Sequence, residues 1–354
     1  MDDLRNGGAL RCGSVPTGAL AGAADRRATR GGSVSLRRRE GLLLALAGMA
    51  CLPRPAIAQP SRPLRIGLLL PRQQQFRAHD LLERLQQQGW RQGETLEVEQ
   101  RIADTPELLE QFATELVRLR VDLIVAFLTP AVLAARQASA SVPIVISGAA
   151  VDPVLRGLAR SLSDPGGNVT GIVVPGVHLA SKSLELVREL RQPTRRVGVL
   201  ANAADPFTPE LLEALRVAAL SLGIRLDMTM VRHRDEYVAA FATWQAAAVD
   251  AVFVQPSLAI EEATALALSH RLPSFSFARA FVSSGGLLSY AANTSELTRR
   301  SVDYVDRVLR GTVPARLPIE QATSYDLTLN LRTARALGIT VPNLLMLRAT
   351  DIID

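Results

Sequence analysis

The segment "DLIVAFLTPA", residues 122–131, has a counterpart in "DAVFVQPSLA", residues 250–259: an acid, an apolar run, a proline and a small-residue helix start. Around each copy the chain alternates short apolar runs with amphipathic stretches. Before the first stands "PLRIGLLL", residues 63–70, a run suited to a strand buried on both faces. In "TPELLEQFATELVRLR", Leu108, Leu109, Phe112, Leu116 and Leu119 recur at helical spacing, with Thr105 as cap and Pro106 at the first helical position. Residues 121–127 then read as strand, 130–140 as helix and 142–147 as strand. This βαβαβ order predicts a parallel sheet with right-handed crossovers.

The same grammar restarts at "RRVGVLAN", residues 195–202. A helix opening with Thr208 and Pro209 follows, then a strand over 224–231, a helix over 237–247, a strand over 251–254, another helix and a strand over 272–277. The anchors keep step: Arg65 to Asp122 spans 57 positions and Arg196 to Asp250 spans 54. Asp122 to Val142 spans 20 and Asp250 to Leu272 spans 22. Solenoid repeats have periods of about 20 to 50 residues, so the expected fold class is α/β with two doubly wound, Rossmann-like lobes of one design. A chain of 354 residues, 48% of them hydrophobic, is long enough to fill two cores.

Past "GGLLSY", residues 285–290, a helix over 294–309 leads to Tyr325, Leu327, Leu329 and Leu331, whose alternation reads as a strand before a short helix. Too few residues remain for a third lobe. The tail is therefore expected to cross back and complete the first. The domains are then 1–58, an N-terminal extension and signal segment; 62–172, the first lobe, completed by 291–354; and 173–290, the second lobe. Several connections between lobes are the design of a hinge.

The formal charge of +6 sits at the front: residues 1–58 hold nine Arg and four acids, leaving 31 basic and 30 acidic residues in the rest. A body so close to neutral argues against nucleic acid as a partner. Arg37, Arg38 and Arg39 precede "GLLLALAGMACL", and Ala56 and Ala58 form an A-x-A site before Gln59, the pattern of a cleaved secretory signal. Its apolar core is shorter than the ~20 helical residues that span a bilayer. Cleavage after Ala58 removes both Cys12 and Cys51, leaving a mature chain without a disulfide, a thiolate nucleophile or a cysteine-ligated metal. A lipid anchor at Cys51 and export by the twin-arginine route are the alternatives. Residues 1–33 resemble neither signal nor domain, which puts the true start near Val34.

Open α/β sheets bind ligands beyond the carboxyl ends of their strands. The loops there are 71–75, 129–131 and 147–153 in the first lobe and 202–205, 255–257 and 277–279 in the second. Helix starts at such turns offer free N–H groups and a positive dipole end, suited to a carboxylate. The candidate ligand residues are Thr129, Pro130, Ser147 and Asp152, then Asn202, Asp205, Gln255, Ser257, Arg279 and Tyr290. Several admit a plainer role. Thr129 would cap the helix at Pro130, Asp152 and Asp205 would start turns before their prolines, Arg279 would face solvent, and Tyr290 would line the hinge core.

Enzyme signatures are missing. His79, His178, His233 and His270 show no metal-ligand spacing, and there is no GxGxxG, GxxxxGK[ST] or GxSxG. Lys182, the only lysine, sits in the amphipathic "HLASKSLELVREL". No metal, cofactor or catalysis is expected.

"VPIVISGAAVDPV", "SLSDPGGNVTGI" and the stretch from "GGLLSYAANTSEL" to "TARALGITVP" resemble the periplasmic substrate-binding proteins of ABC transporters, in the subgroup that includes tryptophan and phenylalanine binders. The resemblance covers nearly all of residues 63–354. It implies a type I periplasmic binding protein fold, two lobes on a hinge closing over a small-molecule solute, in a monomeric periplasmic receptor that serves an ABC transporter permease. A small carboxylate-bearing solute such as an amino acid suits the helix-start turns. Two segments depart from the pattern: "FARAF", residues 277–281, where relatives carry an acid near Ala280, and "PRQQQF", residues 71–76, an unusual first loop. A periplasmic sensor or regulator subunit with the same closing fold is the alternative, and a two-lobed enzyme a third. The signal segment standing where a helix-turn-helix would precede such a regulator favours transport.

Overall fold

The structure, a computed structural model, describes residues 62–354. The expected signal segment, its cleavage after Ala58 and both cysteines lie outside the described residues. The first part of the chain alternates β1 (Leu64–Pro71), α1 (Gln75–Gln87), β2 (Leu96–Ala103), α2 (Pro106–Arg118), β3 (Leu123–Phe127), α3 (Leu128–Ala138), β4 (Ile144–Ala149) and β5 (Val169–Val173). The second part holds α4 (Gly176–Leu190), β6 (Arg196–Asn202), α5 (Thr208–Leu222), β7 (Arg225–Val231), α6 (Glu236–Ala246), β8 (Ala251–Val254), α7 (Ile260–Ser269), β9 (Ser274–Ser276), α8 (Arg279–Ser283) and β10 (Leu288–Ala292). The tail adds α9 (Thr294–Leu309), β11 (Ile319–Gln321), β12 (Tyr325–Asn330), α10 (Leu331–Leu337), α11 (Asn343–Arg348) and β13 (Asp351–Ile353).

These strands form two sheets, ordered β11-β5-β4-β3-β1-β2 and β13-β12-β10-β9-β8-β6-β7. Neighbours run parallel apart from the antiparallel pair β10 and β12. The continuous apolar runs of β3, β4, β5 and β8 are buried along their whole length, as strands covered on both faces must be. The βαβαβ reading of the first lobe omitted α1 and β2. The reason is local: "LEVEQRIA" is an edge strand with only β1 beside it, so it carries charges and is half-buried rather than apolar throughout.

The internal repeat extends to single hydrogen bonds. At the start of β1, the Arg65 side chain donates to Glu97 on β2 (2.8 Å) and to the Leu119 carbonyl at the end of α2 (2.9 Å). At the start of β6, Arg196 pairs with Asp227 on β7 and donates to the Ala247 carbonyl at the end of α6 (2.8 Å). The repeated acid sits beneath each arginine. Asp122 accepts the Arg65 N–H (2.8 Å), and Asp250 accepts the N–H groups of Arg195 and Arg196 (2.8 and 2.9 Å). Each acid is reached through a residue at positive φ, Arg120 at 55° and Ala248 at 50°. Gly67 and Gly198 also correspond: a Cβ would come within 2.9 Å of Leu116 on α2 in one case and 2.7 Å of Trp244 on α6 in the other. The absence of a side chain lets each helix lie close on its sheet.

The tail divides between the sheets, which corrects the expectation that all of 291–354 joins the first. Helix α9 and β11 do join it: Leu297, Val302, Val305 and Val308 are buried in a core with residues of α1, β1 and β3, and β11 pairs β5. Strand β12 instead buries Leu327 and Leu329 in the other lobe by pairing with β10, and β13 pairs β12. An edge strand at β10 offers unpaired backbone groups, and the alternating apolar face of β12 fits there. The chain thus passes between lobes three times, at 174–175, at Asn293 and at 322–324. The passages are bonded across their junctions, Ala322 N–H to the Val173 carbonyl and Asn293 N–H to the Ser324 carbonyl, both at 2.9 Å.

Asp250→Ala leaves two strand-start N–H groups without their acceptor, so it should lower unfolding free energy by about 1–3 kcal/mol. Urea unfolding monitored by circular dichroism measures this; a loss below about 0.5 kcal/mol, the scale of a surface change, contradicts the assigned role.

Candidate functional site

Between the lobes, beside the passages, lies a cavity of about 340 Å³, within the range of on the order of 300–1,000 Å³ common for small-molecule sites. Its walls come from the carboxyl ends of strands, as the doubly wound plan requires. Thr129 follows β3, residues 150–156 follow β4, residues 173–177 carry the first passage, Gln321 ends β11, and Phe207 and Glu210 come from the second lobe. Most of the wall is apolar: Val151, Val154, Leu155, Leu162, Val174 and Phe207. Gly176 lies between a residue of each lobe. A Cβ there would lie 2.6 Å from the Ala150 Cβ and 2.8 Å from the Phe207 ring, so only glycine fits.

Of the expected ligand residues, Thr129 and Asp152 line this cavity. Thr129 is buried inside the first turn of α3, whose cap position is Phe127 with no side-chain capping bond. The capping role considered for Thr129 is therefore not filled. The preceding Leu128 holds φ at 64°, a strained value for a bulky residue of the kind concentrated at binding sites. Asp152 uses Oδ1 to accept the N–H groups of Val154 and Leu155 (2.9 and 3.0 Å), the turn expected before Pro153. Pro130 is half-buried in α3.

Four of the others gather at the strand ends of the second lobe and bond one another. Gln255 donates to Asp205 Oδ2 (2.8 Å) and accepts from the Asn202 N–H (2.9 Å), while Asn202 Nδ2 lies 3.4 Å from Ser257 Oγ. Asp205 also accepts the Phe207 N–H (2.9 Å). Burial pushes the Asp205 carboxyl above its ordinary range, against the bonds from Ser257, Phe207 and Gln255, and the charge of Glu210 adds to the rise. This network holds the loop that carries Phe207 to the cavity. Arg279 pairs with Asp351 on β13 and takes no part in the cavity wall. Tyr290 lies 5.7 Å from Tyr325 between ring centres, the rings tilted by 32°, and packs against the cores of both lobes, the hinge-core role.

Ser147 is fully buried and binds a cation that the sequence reading did not single out. Arg77, in the first turn of α1, donates to Ser147 Oγ (3.0 Å), the Ser147 carbonyl (3.2 Å) and Gln74 Oε1 (3.1 Å). Its guanidinium lies 5.3 Å from the centre of the Phe127 ring, and its Nε has no partner. Desolvation lowers its pKa to about 10, against the opposing charge of Asp80, so it stays protonated at neutral pH. A full positive charge is thereby buried behind Phe127 and Ser147, the strand ends that lead to Thr129 and Ala150.

Two charged cavity residues were also missed. Arg156 donates to the Pro206 carbonyl (2.7 Å) and pairs with Glu210 in the first turn of α5, joining the lobes across the cleft. Neither stands in a recognisable motif; the only trace was an acid two residues after the Thr208 that opens its helix. Among the described residues, no cluster of three His, Cys, Asp or Glu side chains could hold a metal ion.

The profile of the ABC transporter substrate binding protein family matches residues 76–353. A tyrosine-binding protein of Clostridioides difficile is 24% identical over 263 residues, covering 73% of this chain and 75% of its own length. Among solved structures, a conserved domain protein from Vibrio cholerae superposes with a TM-score of 0.76 at 26% identity, covering 82% of this chain and 100% of its own. An ABC domain from Streptococcus pneumonia in complex with L-Trp gives a TM-score of 0.75 at 22% identity, with the same coverage.

The raised pKa of Asp205 carries a pH signature. The folded state holds this proton to higher pH than the unfolded state, so stability falls as pH rises from the unfolded carboxyl value of about 4 through the folded one, then levels. Melting temperatures of wild type and Asp205→Asn across this span should show the falling component in wild type alone. Parallel curves would contradict the assignment.

Proposed function

The chain belongs to the ABC transporter substrate binding protein family, and on that premise we propose that its solute is small, bears a carboxylate and is an amino acid. The family's proteins bind solutes rather than catalyse. One observation carries the reading: a mainly apolar cavity between two lobes, with Arg77 held charged behind the strand ends that form its first-lobe side. A carboxylate near Thr129 meets that charge and the free N–H groups at the start of α3, while the apolar wall accepts a hydrophobic body. The tyrosine-binding relative and the tryptophan-bound neighbour support an amino acid.

The same reading has the chain exported, cleaved after Ala58, resident in the periplasm as a monomer and docked to an ABC permease when loaded. The arginine triplet, short apolar core and A-x-A site support it.

Mass spectrometry of small molecules released by denaturing gently purified protein identifies the solute. A carboxylate is expected, and adding it back at 100 times its Kd should stabilise the fold by about 2.7 kcal/mol. Recovery of a solute without a carboxylate, or one that leaves the melting temperature unchanged, contradicts the proposal.

A further inference from the structure

Glu210 is a carboxylate only half used. One oxygen, Oε1, pairs with Arg156 from the opposite lobe; the other, Oε2, is secluded from solvent and has no hydrogen-bond partner. Glu210 lines the cavity beside Phe207 and Asp152. A buried carboxylate oxygen without a donor costs about 1–3 kcal/mol or more, a cost that a ligand donor would remove. The charges are unevenly placed. Asp152, Glu210 and Arg156 leave this side of the cavity with a net negative charge, whereas the buried Arg77 stands behind the Thr129 side. A zwitterion lying across the cavity would match both ends. Asp152 is less suited to the positive end, because Oδ1 already accepts two backbone N–H groups.

We propose that Glu210 is the specificity-determining residue for the solute's amine, accepting an N–H from its ammonium group at Oε2 while Arg156 fixes the carboxylate through Oε1. This rests on the amino-acid reading above and deepens it by assigning the receiving atom. The arrangement couples recognition to closure. Arg156 belongs to the first lobe and Glu210 to the second, so the oxygen is oriented only when the lobes meet.

Calorimetry on the full chain tests this with L-tyrosine, L-tryptophan and L-leucine, each beside its desamino acid, for wild type, Glu210→Gln and Arg156→Met. Wild type should prefer at least one amino acid over its desamino partner. Glu210→Gln should weaken that amino acid by on the order of tenfold or more, the scale of a charged hydrogen bond, and change the desamino acid by less than about threefold. Arg156→Met removes the bridge between lobes and the bond that fixes the Glu210 carboxylate but keeps its charge, so it should weaken both members of a pair and narrow their ratio without abolishing it. Equal losses for both members in Glu210→Gln, or a ratio abolished by Arg156→Met instead, overturns the assignment while leaving the amino-acid reading intact. Wild type that binds desamino acids as tightly as amino acids also overturns it, with a carboxylate solute still supported. Wild type that binds neither member of any pair overturns both.

Discussion

Three passages of the chain between two mainly parallel sheets constrain everything else in this molecule. A parallel sheet needs a crossover for each strand and presents all its carboxyl ends on one side. Crossing at 174–175, at Asn293 and at 322–324 turns those sides toward one cleft and joins the passages by backbone hydrogen bonds between Ala322 and Val173 and between Asn293 and Ser324. The cavity, the packing of Tyr290 against both cores and the close contact at Gly176 all lie beside these passages. Short passages between two lobes that each have their own core are the geometry of a hinge.

Behind the walls of the cleft, two charged groups are set by burial. Arg77 is desolvated and lacks an acid in contact, so its field is little screened and reaches the strand ends beside it. Asp205 lies under the opposite loop, protonated more readily than an ordinary carboxyl because it is buried. Its bonds to Gln255 and Phe207 hold the loop shape at the second-lobe wall. Surface ion pairs elsewhere, such as Arg160 with Asp164, are exposed and contribute little to stability or selectivity.

Much of the fold was legible because its determinants are local and periodic. Asp122 and Asp250 marked corresponding turns, and the structure gives each the same task, receiving the N–H of a neighbouring strand start. Thr105 caps α2 through the Leu108 N–H, as its place before Pro106 implied. The omitted β2 shows the limit: an edge strand has less apolar surface to hide, so its pattern is weak. The destination of the tail was also hidden, since the alternation of Leu327 and Leu329 states that a face is buried without stating which sheet buries it. At the site, strand-end logic pointed to loops rather than to side-chain partners. Asn202, Asp205, Gln255 and Ser257 do stand together, yet they bond one another, and the charged groups of the cavity wall include Arg156 and Glu210, brought there by the approach of two lobes. No single segment encodes that approach.

Closure around a bound solute is the claim on which these assignments converge, since the cavity has walls from both lobes and the bridge from Arg156 to Glu210 exists only when they meet. Small-angle X-ray scattering of the protein, first stripped of solute and then saturated with the solute recovered from it, measures closure directly. The radius of gyration should fall and the longest interatomic distance shorten on saturation. Superimposable scattering curves for the two states would contradict a closing receptor.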